Sequence, residues 1–315
     1  MGFYDIFNGD ADGLCGLQQL RLADPRDARL VTGTKRDTSL LATIDPVAGD
    51  TITVLDISVG ANEPGLERAL SAGASVTWFD HHHGGALPAD PNFHGYVDFA
   101  PGICTSLIVD RHLGGRHRAW AIVGAFGDNL TRSAEAAAAS LHLDAAAIAV
   151  LRSLGKCLNY NAYGERVEDL MFHPAALRRR MQPYADPLRF AAEDDSFPRL
   201  EQMRTQDLAL ALAIAPILEI PTATAIVLPD MPWSRRVGGT LANHLALVGP
   251  DGLHAVLVPA VGGFTVSLRA SHRHASGAHA IAREFGGGGR AAAAGINAMP
   301  AAEIPRLLRL LREMR

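Results

Sequence analysis

Short apolar runs alternate with stretches of helical spacing along the first half of the chain. Phe3–Phe7 is an apolar run that breaks at Asn8-Gly9-Asp10. Gly13–Ala23 comes next, with Leu14, Leu17 and Leu20 at helical intervals. Ile52–Leu55 is a second, β-branched run and ends at Asp56. Pro64–Ala72 reads as a helix, and Ser75–Phe79 as a third strand that ends at Asp80-His81-His82. Ile103–Leu113 and Trp120–Phe126 read as buried helices. Strands alternating with helices predict an α/β fold, a parallel sheet with helices on both faces.

The pattern changes in the stretch Met171 to Asp195, which mixes prolines with Arg178-Arg179-Arg180 and Asp194-Asp195. It reads as the end of a first domain and a connector, leading into a linking helix over Leu200–Ile217. From Ala223 the alternation restarts. Ala225–Leu228, Ala255–Val258 and Phe264–Leu268 read as strands, and Ala278–Phe285 and Ala302–Met314 as helices. The expected organisation is a larger domain over 1–185, a helical linker over 186–220 and a smaller α/β domain over 221–315. The alanine runs Ala136–Ala139 and Ala291–Ala294 read as helix or close packing rather than low complexity.

Composition narrows the class. The chain has 315 residues, 48% apolar and 20% charged, enough for one large or two ordinary globular cores. Lys and Arg number 29 and Asp and Glu 33, a formal net charge of −4. That balance argues against a general nucleic-acid binder, whose affinity needs a basic surface to displace counterions. A nucleic-acid substrate is therefore expected to be short, or held in a local basic groove. Cys15, Cys104 and Cys157 form no CxxC pair and no disulfide framework, which suits a reducing cytoplasm. The amino terminus has no signal-like leader, and no run of about 18 apolar residues occurs, so a cytoplasmic, membrane-free protein is expected.

The chemical residues cluster where the apolar runs end. Asp10 and Asp12 sit two apart on a glycine-flanked turn, Asp56 closes the next run, and Asp80, His81 and His82 close the third. Gly127-Asp128-Asn129 closes the apolar helix. Singly, the D-x-D-G turn, Asp56 and G-D-N read equally well as turns or helix caps, whereas three consecutive histidines after an apolar strand are unusual. Together they are carboxylates and imidazoles delivered to the carboxyl ends of strands, where α/β sheets bind ligands. Such a set of acids repels itself unless cations lie among it. Two divalent ions about 3.5–4 Å apart would resolve this and activate water for phosphoryl displacement. Oxygen and imidazole donors without sulfur suit Mn²⁺, with Mg²⁺, Co²⁺ and Zn²⁺ as alternatives. In the second domain, Arg269 and Ser271 come after an apolar run, and Gly286, Gly287, Gly288 and Gly289 lead into Arg290. Exposed glycine N–H groups and guanidinium forks predict an anion cradle, with a helix able to start after it. His272, Arg273 and His274 add positive potential beside it.

This ordered set, from D-x-D-G through D-H-H and G-D-N to S-L-R and the glycine run, resembles the DHH phosphoesterases with a DHH-associated carboxy-terminal domain. The resemblance runs from Phe3 to about Gly295. It implies that Asp10 and Asp56 hold one metal ion, and that Asp12, Asp56, His81 and Asp128 hold another. It also implies that Asp80 orients the pair, that His82 faces the scissile phosphate, and that Arg269 and the Gly286–Arg290 loop grip a substrate phosphate. Three positions depart from the pattern. Ile6 stands where many members carry a His, Asn8 where RecJ-type members carry an Asp, and Arg290 where the glycine loop usually ends in His. Asn8 would be a weaker, neutral ligand. The activity implied is metal-dependent hydrolysis of phosphodiester bonds in short oligonucleotides or small nucleotides. The alternatives are a phosphomonoesterase acting on a small phosphorylated metabolite or nucleotide bisphosphate, and a non-catalytic nucleotide sensor. The expected partner is the substrate, with no membrane and no stable protein partner; a homodimer is left open.

Overall fold

The computed structural model describes residues 1–249, 251–271, 273 and 276–313. The chain divides into two compact units, Met1–Glu201 and Gln202–Arg315. The first opens with β1 (Phe3–Phe7), α1 (Ala11–Ala23), β2 (Arg29–Val31), β3 (Thr51–Leu55), α2 (Val59–Ser71), β4 (Ser75–Asp80) and β5 (Phe93–Val97). These strands form one sheet in the order β2-β1-β3-β4-β5, and every pairing is parallel. Parallel neighbours need crossovers, and α1 and α2 supply two of them.

Period-two alternation sends successive side chains to opposite faces of this sheet. Phe7, Leu55 and Phe79 pack with Leu14 and Leu17 of α1 in one core. Their neighbours Ile6, Val54 and Trp78 pack with Val59 and Leu66 of α2 in another. Helices therefore cover both faces, as the alternation predicted. The first core also takes in α3 (Thr105–His112), α4 (Arg118–Gly127), α5 (Thr131–Ala139) and α6 (Ala145–Asn161). Ala136–Ala139 lies in α5, in keeping with its alanine content. The stretch 171–195 folds into α7 (Pro174–Met181) and α8 (Pro187–Glu193), each with proline at its first position. Leu177, Met181 and Phe190 are fully buried in the first core, so this stretch is packed structure.

Helix α9 (Ser196–Leu212) runs across the division between the units. The second unit contains β6 (Leu218–Ile220), β7 (Ala223–Val227), α10 (Pro232–Val248), β8 (Leu253–Ala260), β9 (Gly263–Ala270), α11 (Ala278–Glu284), β10 (Gly288–Arg290), β11 (Ala293–Met299) and α12 (Ile304–Glu313). Its sheet runs β10-β11-β9-β8-β7-β6, with β7 and β8 parallel and the other neighbours antiparallel. Two expectations fail here. No helix starts after the glycine run: Gly288–Arg290 is itself a strand, and Ala293 and Ala294 begin the next one. Small residues at this hairpin let backbones approach. A Cβ on Gly289 would lie 2.5 Å from the Ala293 carbonyl oxygen. The helix expected from Ala302 begins with a 3₁₀ turn over Ala301–Glu303, and Met314 lies outside the described residues. Among the described residues, no helix is long and apolar enough to cross a membrane.

Candidate functional site

Four neighbouring parallel strands deliver their outgoing loops to the same sheet edge. β1 leads to Asn8, Asp10 and Asp12, β3 to Asp56, and β4 to Asp80, His81 and His82. β2 leads to a loop that carries Lys35, a residue the motif pattern did not mark. Local backbone demands explain the D-x-D-G turn. Asp10 caps α1, its Oδ1 accepting from the Asp12 N–H at 2.9 Å and the Gly13 N–H at 3.2 Å. A Cβ on Gly13 would lie 2.2 Å from the Asn8 carbonyl oxygen, so the turn admits only glycine there. Asp12 crosses to a second helix. Its Oδ2 accepts from the Thr105 N–H at 2.7 Å and its Oδ1 from the Ser106 N–H at 2.8 Å, capping α3. In the G-D-N motif, Asp128 ends α4 and Asn129 takes the left-handed conformation that terminates it, with φ 60°.

Asp10, Asp12, Asp56 and Asp80 are at most 2% exposed, so their charges are not solvated. Asp56 adopts φ 61°, an uncommon backbone state for a residue other than glycine. Its Oδ1 accepts from the Thr105 hydroxyl at 3.0 Å and lies 3.4 Å from His81 Nε2. His81 Nε2 is also 3.9 Å from Asp12 Oδ2. Burial, then the charges of Asp12, Asp10 and Asp80, push the Asp56 carboxyl well above the usual carboxylate range. Burial likewise raises Asp128, with Lys35 opposing. Asp10 is the exception: burial would raise it, but the Lys35 ammonium against Oδ2 outweighs that and holds it at about 2.

Lys35 lies inside this acidic cluster. Its ammonium contacts Asp10 Oδ2, donates to Asn159 Oδ1 at 3.2 Å and lies 4.0 Å from Asp128 Oδ1. Asn8 serves the same turn: its Oδ1 accepts from the Asp10 N–H, and its Nδ2 donates to the Lys35 carbonyl. Ile6 is wholly buried in the core facing α2 and takes no part in the site.

Ligand atoms of Asp56, His81 and His82 all lie within 4.8 Å of one another, a spacing that one ion could span. The hydrogen bonds refine this set. His82 Nδ1 faces Asp80 Oδ1 at 2.7 Å, so this nitrogen donates a proton to that carboxylate and has no lone pair for a metal. Among the described residues His81 has no such hydrogen bond, and its Nε2 sits between Asp56 and Asp12. The donors that fit an ion are therefore Asp56 and His81, with Asp12 beside them. Asp128 lines the same cleft, of about 150 Å³. This oxygen-and-imidazole set fits a divalent cation of the Mn²⁺, Mg²⁺, Co²⁺ or Zn²⁺ kind.

In the second unit, sheet register pairs Arg290 with Ala293 on one side and Arg269 with Ala293 on the other. Directly opposed residues share a sheet face, so both arginines belong to one face, roughly 10 Å apart across two strand spacings. Arg269 donates to Asn243 Oδ1 at 2.8 Å and Arg290 is exposed. Ser271 is nearly buried and hydrogen-bonded to Asp251 at 2.5 Å. The glycines Gly286, Gly288 and Gly289 are exposed or partly so, as is Gly287. Arg273 is exposed, whereas His272 and His274 lie outside the described residues.

No family model matches the chain, and no curated protein matches it by sequence. Solved structures do. The chain is similar to an exonuclease RecJ bound to manganese, with TM-score 0.59 and 17% identity, covering 98% of this chain and 88% of that one. RecJ of Thermus thermophilus in complex with Mn²⁺ gives TM-score 0.57 and 19% identity over 98% of this chain, which spans 51% of that protein's length. A pGpG-specific phosphodiesterase, PggH of Vibrio cholerae, gives TM-score 0.52 and 15% identity over 99% and 100% of the two chains. With its acidic and histidine motifs falling in order at one sheet edge, the chain shares the fold of these RecJ and pGpG-specific phosphodiesterase structures.

Proposed function

We propose that this protein is a divalent-metal-dependent phosphoesterase that hydrolyses phosphodiester bonds in short oligonucleotides or small nucleotides. One observation carries the reading: four nearly inaccessible carboxylates converge with His81 at the ends of adjacent strands, and Asp56 is held at an unfavourable protonation balance by its neighbours. A bound cation stabilises such a cluster. The structural likeness to RecJ and to a pGpG-specific phosphodiesterase supports the same substrate class. The resemblance in sequence leads to two ions, but the chain brings its own positive charge to Asp10. The reading is therefore one ion at Asp12, Asp56, His81 and Asp128, with the Lys35 ammonium in place of the other.

A divalent ion held there supplies Lewis acidity, lowering the pKa of water and drawing charge from a phosphoryl oxygen. The remaining steps belong to side chains. Thr105 fixes the Asp56 carboxylate by its hydroxyl, and the α3 N-terminus fixes Asp12 through two N–H groups. Asp80 accepts a hydrogen bond from His82 Nδ1–H and so orients the ring, and His82 lines the cleft. Burial works against the imidazolium, but the Asp80 hydrogen bond and charge outweigh it and raise the His82 pKa. His82 thus donates a hydrogen bond or a proton to the oxygen that leaves. Lys35 offsets charge that grows on the phosphoryl group. Arg269 and Arg290 supply guanidinium forks for a further substrate phosphate. Three buried free thiols suit a reducing, cytoplasmic setting.

The test is turnover with Mn²⁺ of 5′-phosphorylated dinucleotides and pentamers, beside adenosine bisphosphate. Release of mononucleotides is expected. Release of inorganic phosphate from the bisphosphate alone would favour the phosphomonoesterase. Binding without any metal-dependent turnover would leave a sensor.

A further inference from the structure

A cavity of about 430 Å³ in the first unit lies away from the acidic edge. It is bounded by Asp5 in β1, Arg21 in the last turn of α1, Arg26 in the loop beyond it, and Arg178 and Arg179 in α7. The length of α1 separates it from the candidate metal site. Asp10 caps the amino end of this 13-residue helix, and Arg21 lies near the other, about 15–20 Å along the axis.

Four arginines (Arg21, Arg26, Arg178 and Arg179) and two carboxylates (Asp5 and Asp27) line this cavity, so basic groups outnumber acidic ones. Arg21 binds both Asp5 oxygens: its Nε lies 2.9 Å from Oδ2 and its Nη2 2.5 Å from Oδ1, with a further bond to the Thr53 hydroxyl at 2.9 Å. Arg26 is held by Asp24 at 2.7 Å. For Arg178, burial and the Arg21 charge oppose the cation, and only the Asp5 charge favours it. Arg178 is 4% exposed, and its Nε and Nη1 are buried without a hydrogen-bond partner among the described residues. Burial lowers its pKa to about 10, an uncommon penalty for a guanidinium. Arg179, next along α7, is exposed at the same cavity wall. Unpaired buried N–H donors cost free energy, and a buried cation costs more.

We propose that this cavity is a second, non-catalytic anion site, in which the Arg178 and Arg179 guanidinium groups grip the phosphate of a small phosphorylated molecule. Arg178 and the exposed Arg179 both line the cavity, so two guanidinium groups border the same space. A phosphate dianion matches the charge of these two arginines. The cavity volume falls in the range of small-molecule sites, so there is room for free phosphate or for phosphate carried on a nucleoside. The proposal is independent of the catalytic reading, because it uses neither the metal site nor any residue at the strand ends.

The experiment uses the full chain in chelator, where the acidic edge repels anions. Inorganic phosphate and 5′-AMP are titrated calorimetrically into the wild type, Arg178→Met, Arg179→Gln and Asp56→Asn. Saturable binding is expected in the wild type and in Asp56→Asn, weakened about tenfold or more in both arginine variants. Tighter binding of 5′-AMP would identify a nucleotide as the occupant, and equal affinity would identify free phosphate. Both support the site. Arg178→Met removes an uncompensated buried charge and should melt no lower than the wild type; Arg179→Gln changes an exposed residue and leaves folding untouched. Undetectable binding of both probes, or unchanged affinity in Arg178→Met and Arg179→Gln, would overturn the proposal.

Discussion

The Lys35 ammonium sits against Asp10 Oδ2, inside the acidic cluster. Asp10 is thereby paired and its pKa lowered, which separates it from Asp56, where burial and neighbouring acids push the other way. The wild type should then bind one Mn²⁺ per chain, with the electron paramagnetic resonance spectrum of an isolated ion. Lys35→Met should keep that ion and lose about 10²–10³-fold in kcat. Two bound ions with a spin-coupled spectrum in the wild type would rule out the substitution of lysine for metal.

Asp56 sets function against stability. Its carboxylate is destabilised by burial and by Asp12, Asp10 and Asp80, and its φ of 61° is one that asparagine also tolerates. Asp56→Asn should therefore melt about 2–5 °C higher than the wild type in chelator, roughly 1 kcal/mol. It should also lose the rise in Tm that Mn²⁺ gives the wild type, along with hydrolysis. A lower Tm in chelator would show that the carboxylate is not strained.

Thr105 acts through Asp56. Its hydroxyl donates to Asp56 Oδ1 at 3.0 Å, while its backbone N–H donates to Asp12. Thr105→Val keeps the shape and the N–H but removes the hydroxyl. Mn²⁺ affinity, measured by calorimetry, should weaken about 10–100-fold. Unchanged affinity would mean that Asp56 is positioned by the backbone alone.

Gly127 is a packing requirement independent of catalysis. A Cβ there would lie 2.3 Å from Ala11 Cβ and 2.9 Å from the Gly155 carbonyl oxygen, where α4 meets α1 and α6. Gly127→Ala should cost about 1–3 kcal/mol or more in urea unfolding. A smaller cost would show that these helices can part.

Asp50 supplies an acid-sensitive contribution. Its carboxylate accepts from the Gly2 N–H at 2.6 Å and the Val47 N–H at 3.0 Å, and these bonds lower its pKa below 3.8. A lowered carboxylate pKa gives stability that is present at neutral pH and lost as pH falls through the folded value. Asp50→Ala should cost about 2 kcal/mol at pH 7. The gap in Tm between variant and wild type should close as pH falls below the ordinary carboxylate range. A gap that is constant with pH would assign the effect to packing instead.

Much of the site could be read along the chain because parallel strands end where ligands bind. Apolar runs fix the strands, and the residues just past each run must lie at one edge. This brought Asp10, Asp12, Asp56, Asp80, His81 and His82 together on sequence grounds alone. Asp128 was marked by the helix it ends. The glycine run was misread as a helix start because glycine permits both a cradle and a tight hairpin, and only pairing with Ala293–Met299 selects the hairpin.

Local pattern thus settled the strands, their alternating faces and the acidic edge, since these depend on side-chain period and on neighbours in sequence. It could not settle which charges meet. Lys35 reaches Asn159 across 124 positions, and Arg21 bonds both oxygens of Asp5 while Arg178 is buried nearby. Those outcomes depend on which elements pack side by side and on how burial weakens screening by water, and both are properties of the folded chain.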